Sequence, residues 1–507
     1  MKKVAVLLML ITIFTKLFGF ARDITLSYFY GASNITDAYL ISITVPTIVF
    51  AFIGTGIATS YIPIYNNILK EKGVQPASVF TNNIINFTMV ICTVVIIFVS
   101  IFTEPIVKLF ASGFEGETLE IAVSFTRINI FGIYFSGLIY VYTGYLQVKN
   151  NFLIPALMGI PLNILTIVFI VLSKEIDIML LAIGSVIAIG CQMLFLIPSL
   201  YKSGYRYKFI LNKNNKYLQQ MIRLSIPVII GVSVTEINTL IDRTMASQIA
   251  EGGISALSYA NKLTSFVQGI FVISISTIMY PIISRMASDN NIAGLKKSVS
   301  EAVNSINLLV LPATVYTIIF AEQLVRLSFG RGAFGSEAMS MTSVSLFFYS
   351  IGMIGFGLRE VLSRVFYSIQ DTKTPVVNAS VGMIINIALN IILSKYMGIG
   401  GLALATSISA TFITVLLLIS LRKKIGSLGM KSIFVTFLKI LFASSLMGLI
   451  AKLTFNGLIG VTNQNLSLLV SFTVGALFYL IIVYLMKIED IHLIIKAIKR
   501  KMGVFSK

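Results

Sequence analysis

The chain has 507 residues, 56% of them hydrophobic and only 12% charged, with a mean hydropathy of +0.92. No soluble domain of this size carries such a balance, so the sequence describes a polytopic membrane protein. A net charge of +19 would suggest nucleic acid in a soluble protein; here loop placement accounts for it better, and no nucleic-acid partner is expected.

Window hydropathy gives about fourteen spans of the ~20 residues a bilayer needs. They lie near 4–30, 37–66, 78–103, 119–147, 152–173, 178–201, 219–249, 255–286, 298–321, 337–369, 375–395, 400–421, 432–454 and 465–486. The opening MKKVAVLLMLITIF imitates a signal peptide, but no small-x-small cleavage site follows and many more spans do. The expected fold is therefore all-helical.

Loop charge sets the orientation. With the N-terminus inside, the inner loops hold Lys70, Lys72, Lys202, Arg206, Lys208, Lys213, Lys296, Lys297 and Arg422 to Lys424, among others. The outer loops hold only Lys108, Lys174, Arg326, Arg331, Lys395 and Lys452. The asymmetry repeats loop after loop and puts both termini in the cytoplasm of a cell whose plasma membrane the protein spans.

Residues 202–218 form the longest inner connection, and their mixture of Lys, Arg, Tyr and Phe reads as an amphipathic linker on the anionic inner leaflet. It divides an N-lobe at 1–201 from a C-lobe at 219–421, six spans each, leaving a helix pair at 422–486. The tail 487–507 alternates an isoleucine face with a lysine face and reads as a second interfacial helix. The two six-span blocks look like repeats. Arg22 answers to Arg243, Gly31 to Gly252, Pro155 to Pro375 and Asn163 to Asn386. An even number of spans per repeat gives both copies the same orientation, related by an axis along the membrane normal. Transporters built this way bind their substrate near the midplane, between the halves.

The chemistry concentrates where charge enters apolar runs. Lys16, Arg22 and Asp23 fall inside the first span, where each cation costs about 2.5–3.5 kcal/mol to insert. Such residues face a partner or a water-filled cavity. Adjacent Arg22 and Asp23 are not expected to face each other in a regular helix. Two readings stay open: structural ions paired with neighbouring helices, or a cationic substrate site. Arg243 and Lys262 occupy the first two spans of the second repeat, so cations from both halves would line the inter-lobe cavity and suit a polyanion such as a pyrophosphate. A second set is Asp242, Asn386, Asn390 and Thr406. Asn386 and Asn390 lie one helical turn apart, and hard oxygen donors of this kind suit a small hard cation, with helix–helix hydrogen bonding as the alternative.

Enzyme signals are weak. Gly54-Thr-Gly56 lacks a third glycine and a preceding strand, no Walker sequence occurs, and a single histidine without paired cysteines makes no metal-hydrolase site. Cys92 and Cys191 read as free buried thiols. Nothing requires an oligomer.

Thr15-Lys-Leu-Phe-Gly-Phe-Ala-Arg-Asp23 followed by Tyr30-Gly-Ala-Ser33 and Thr36-Asp-Ala-Tyr39 resembles the first-helix signature of the MurJ/MviN proteins. Those are lipid II flippases of the multidrug/oligosaccharidyl-lipid/polysaccharide exporter superfamily. The likeness continues through Val45-Pro46, Tyr61-Ile-Pro-Ile64 and Ser258-Tyr-Ala-Asn-Lys-Leu263. It implies a flippase that carries a lipid-linked peptidoglycan precursor from the inner to the outer leaflet by alternating access, with lipid II and membrane lipids as its partners. It also implies a lipid-tail groove at the last two spans, a functional acid at Asp37, and sodium between the seventh, eleventh and twelfth spans as the one candidate cofactor. Lys16 and Lys262 stand where the family usually has arginine, and Asn390 where a carboxylate is expected. The segment Thr47 to Gly56 lacks the charges often found there. Two alternatives follow from these departures: a flippase for another polyprenyl-pyrophosphate-linked oligosaccharide, or a cation-coupled drug exporter.

Overall fold

The computed structural model describes residues 2–486, leaving aside the side chains of 2–6 and 9. The expected interfacial tail at 487–507 lies outside the described residues. Eighteen helices and no strand occur among the described residues. Ten are long and apolar enough to cross a membrane, or twelve if each of two bent pairs is one span. The expected fourteen goes beyond that tally, because it also counts the first helix as a span and divides Lys373–Ile425 in two.

The helices pack into two compact units. The first holds residues 1–255 with 329–338. It contains α1 (Lys2–Tyr30), α2 (Asn34–Lys72), α3 (Val74–Ile101), α4 (Thr103–Phe110), α5 (Gly116–Asn129), α6 (Gly132–Val148), α7 (Leu153–Leu157), α8 (Gly159–Glu175), α9 (Leu180–Lys202) and α10 (Lys216–Ile249). Grouping by packing thus places α10 with the preceding helices, and the division falls at Ser255 rather than at the linker. Among the described residues, the second unit holds 256–328 and 339–486. It takes most of α11 (Gly253–Ser288), then α12 (Ile292–Ile319), α13 (Ala321–Phe329), α14 (Ser336–Ile351), α15 (Met353–Ser368), α16 (Lys373–Ile425), α17 (Met430–Leu458) and α18 (Gln464–Leu485).

Helix ends follow local chemistry. The Ser33 hydroxyl accepts the Thr36 N–H at the start of α2, and the Asn215 side chain accepts those of Tyr217 and Leu218 at the start of α10. Gly73, at φ 83°, ends α2, and its N–H returns to the Leu69 carbonyl. As a single rod, the 53 residues of α16 would run to about 80 Å, far more than a ~30 Å bilayer core. Gly398, at φ 55° and ψ −133°, breaks it into two legs. Within the first unit, α2 packs against α5, α6 and α10, and α1 lies along α8. In the second, α17 and α18 pair and dock on α12, where the Tyr479 hydroxyl donates to the Leu308 carbonyl at 2.7 Å.

The repeat shows in two places. Hydropathy did not separate α4 and α13, yet they are counterparts: each turns an apolar face inward and an i, i+4 ion pair outward, Glu104–Lys108 and Glu322–Arg326. A side chain on Gly113 would stand 2.2 Å from the Ser247 carbonyl oxygen, and one on Gly332 would stand 2.2 Å from that of Tyr28. Ser247 and Gly332 come 219 positions after Tyr28 and Gly113. Both contacts lie in the first unit.

In the second unit, Asp371 sits just before α16 and pairs with Lys424 at the far end of that helix. Burial alone would raise its carboxyl. The Lys424 ammonium and the hydroxyl and N–H of Thr374 together outweigh burial and hold it at about 2. With its folded value below the ordinary ~3.9, the group stabilises the fold fully above about pH 4 and loses that effect as the pH falls through 2. Asp371→Asn is therefore expected to lower the thermal unfolding midpoint at neutral pH. The gap to the parent should close between about pH 4 and pH 2, and a gap constant with pH would refute the ion-pair account.

Candidate functional site

Helix α1 passes three polar groups through apolar sequence. Lys16 is exposed on the protein surface. One turn later, Gly19 faces α8, where an added Cβ would lie in ordinary contact, 3.8 Å from the Asn163 side-chain oxygen. Arg22 is bonded to its own neighbour, contrary to the expectation from helix geometry. Its Nε and Nη2 donate to Asp23 Oδ1 at 3.1 and 2.8 Å. The expectation considered only where the side chains leave the helix, about 100° apart. The long arginine stem bridges that gap, and its planar fork delivers two donors to one oxygen. The Asp23 side chain is only 11% exposed and that of Arg22 28%, so the pair is half-sunk in the unit.

Arg243, the counterpart on α10, leans on α2. Its Nη1 donates to the Leu40 carbonyl at 3.1 Å and to the Thr44 hydroxyl. These partners precede it by about two hundred residues, and no local spacing announces them. Asp37, in the first turn of α2, is 1% exposed. Its carboxylate accepts the Ser255 N–H at 2.7 Å and the Ile254 N–H at 3.4 Å. It thus satisfies donors in the first turn of α11, with an acid where the helix dipole favours one. The structure gives Asp37, the functional acid that the resemblance implies, a buried capping position. Lys262 lies exposed on α11 in the second unit, so three of the four expected cations belong to one unit and the fourth to the other.

The oxygen-rich set is also distributed. Asn386, Asn390 and Thr406 come together in the second unit, across the two legs of α16. Asn390 Nδ2 donates to Asn386 Oδ1 at 3.0 Å, and Asn386 Nδ2 to the Thr406 hydroxyl at 3.3 Å. The predicted shared face of the two asparagines is present, together with the cross-helix bonding of the structural alternative. Asp242 stands on α10 in the first unit, where Asn238 Nδ2 donates to it at 3.3 Å. Amide, hydroxyl and carboxylate oxygens are the donors a hard cation takes. No group of three or more His, Cys, Asp or Glu fit for a metal ion occurs among the described residues.

A feature the sequence reading missed lies on α3. Asn82, Asn83 and Asn86 are all nearly fully buried and hold the α9–α10 connection by its backbone. Their Nδ2 atoms donate to the carbonyls of Arg206, Asn212 and Ile210 at 3.3, 3.0 and 2.9 Å. The Asn212 N–H and the hydroxyls of Tyr205 and Tyr207 donate back to the three amide oxygens. Three asparagines within five positions of an apolar helix were the available signal.

Comparison with known proteins completes this picture. The family described as lipid II flippase MurJ matches residues 26–488. A probable lipid II flippase MurJ of Thermotoga maritima is 29% identical over 490 residues, 96% of each chain. One from Buchnera aphidicola is 29% identical over 409 residues, 80% of each. A solved lipid II flippase MurJ in an inward closed conformation aligns with a TM-score of 0.83 at 28% identity, covering 95% of this chain and 98% of the other. An inward-facing multidrug resistance MATE family transporter of the MOP superfamily aligns at 0.69 and 14% identity over 82% of this chain and 96% of its own, a likeness of fold alone.

Proposed function

The chain belongs to the lipid II flippase MurJ family, and on that premise we propose that it carries lipid II from the inner to the outer leaflet. The full-length likeness to lipid II flippases, in sequence and in fold, is the observation that supports this reading over another lipid-linked glycan or a drug. The chemistry agrees with it. A pyrophosphate is a compact polyanion, and Arg22, Arg243, Lys16 and Lys262 supply cations in otherwise apolar helices. In this reading the two six-span repeats alternate access to the head group, while the tail stays in lipid along the pair α17 and α18. The role is transport, with no bond made or broken in the cargo. Purified protein in sealed vesicles should move dye-labelled lipid II until about half is reachable from outside. A rate no faster than protein-free vesicles would reject the reading.

In this reading both termini face the cytoplasm, which the loop charges support. With Cys92 and Cys191 replaced, cysteines at Glu117 or Glu175 should react with an impermeant thiol reagent applied to whole cells, and cysteines at Asn214 or Ser427 should not. The reverse pattern would invert the topology.

Asp242, Asn386, Asn390 and Thr406 would hold a sodium ion, whose binding couples transport to the ion gradient. With Asn390 in place of a carboxylate, one negative charge fewer faces the ion and binding is weak. Transport should then rise with sodium, and Asp242→Asn should push that dependence to higher concentrations. Equal rates in sodium and in a bulky organic cation, unchanged by the substitution, would leave these residues a structural role.

A further inference from the structure

The segment 203–215 between α9 and α10 has no regular secondary structure, yet the asparagines of α3 fix it at six hydrogen bonds. Its path follows from them. The chain meets α3 at Asn82 with Arg206, reaches Asn86 with Ile210 and returns to Asn83 with Asn212. The strap therefore dips along α3, and its far point is at Phe209 and Ile210. Beyond Asn86 the apolar run of α3 continues for only about sixteen residues, or ~24 Å, short of the ~30 Å hydrocarbon core. The asparagine ladder and the tip of the strap thus stand at the boundary between headgroups and hydrocarbon.

The strap's outward surface has a matching composition. Phe209 is 76% exposed and Leu211 48%, an unusual display for residues on a pinned segment. Arg206, Lys208 and Lys213 are exposed around them, and the sequence has no acid between Asp177 and Glu236. Apolar groups at the boundary, among cations that no acid of the same connection neutralises, complement a lipid with an acyl chain and a negative headgroup.

We propose that this strap is a docking site for anionic phospholipids, with Phe209 against the acyl chains and Arg206, Lys208 and Lys213 taking the headgroup phosphate. The asparagine ladder is what makes it a site: it holds the cations in one place and at one depth, whereas a mobile basic loop would attract the whole surface evenly. The inference is independent of which lipid-linked glycan is transported.

The chain contains no tryptophan, which supplies a direct test. Phe209→Trp introduces a single tryptophan, excited apart from the tyrosines, at the tip of the strap. The full-length protein is placed in vesicles mixing phosphatidylcholine and phosphatidylglycerol, with bromine on the acyl chains of one lipid or the other. Brominated phosphatidylglycerol should quench this fluorophore with an apparent affinity about tenfold above brominated phosphatidylcholine, since the cations meet an anionic headgroup in one case and a zwitterionic one in the other. Adding Arg206→Gln, Lys208→Gln and Lys213→Gln should bring the ratio to one. The control Leu469→Trp, at an exposed position of α18, should show no preference in either background. Equal quenching of the strap fluorophore by both lipids, with the three cations intact, would overturn the proposal, as would the absence of quenching by either. A preference that survives the triple substitution would do so as well.

Discussion

Export of lipid II is expected to fall to background when Arg22 is replaced by alanine, with the protein still present in the membrane. Arg22 engages Asp23 through two of its donors, and its side chain is 28% exposed. In an apolar surrounding a guanidinium attracts an anion strongly, because it forms short charge-assisted bonds with a pyrophosphate oxygen where water is scarce. Arg22→Lys keeps the charge and loses the planar fork, so it should retain part of the activity. A purely structural pair predicts something different. Removing Arg22 then takes a cation from a buried acid, and the protein becomes unstable and scarce. Measuring export and membrane abundance together for both variants separates these outcomes. Full export by Arg22→Ala would refute both.

Asp37→Ala should have the second large effect, of the opposite kind. Two buried backbone donors, the N–H groups of Ile254 and Ser255, would lose their acceptor. Each stranded donor costs about 1–3 kcal/mol, and two take a sizeable part of the 5–15 kcal/mol that usually holds a protein together. We expect a low thermal midpoint and low abundance, with export falling in proportion. Asp37→Asn keeps one oxygen acceptor and should recover most of the abundance. A residue that met substrate would behave otherwise: both variants would accumulate normally and lose only transport.

These two residues mark how far the sequence could be read. The intramembrane charges were legible because hydropathy makes them conspicuous and insertion makes them costly. What each one touches was not. The partners of Arg243 lie near position 40 and those of Asp37 near 255, and no periodic pattern encodes a contact across two hundred residues. Arg22 failed in the other direction: its partner is adjacent, and reasoning about helix faces excluded it by neglecting side-chain length. The short helices α4 and α13 were within reach, since Glu104 with Lys108 and Glu322 with Arg326 keep the spacing of a helix face in both repeats. Hydropathy windows of span length average such eight- and nine-residue elements away. The loop charges pointed to the strap at 203–215, but its fixed shape depends on the asparagines of α3, more than a hundred residues earlier.

The central claim, that this chain moves lipid II across the membrane, is tested most directly in a bacterial strain whose own lipid II flippase can be switched off. Lipid II exposed on the outer surface is measured in intact cells after depletion, with this chain expressed or absent and its membrane abundance recorded. The account predicts that expression restores surface lipid II and growth, and that Arg22→Ala at equal abundance restores neither. Abundant parent protein, correctly inserted, with lipid II still confined to the inner leaflet would contradict it.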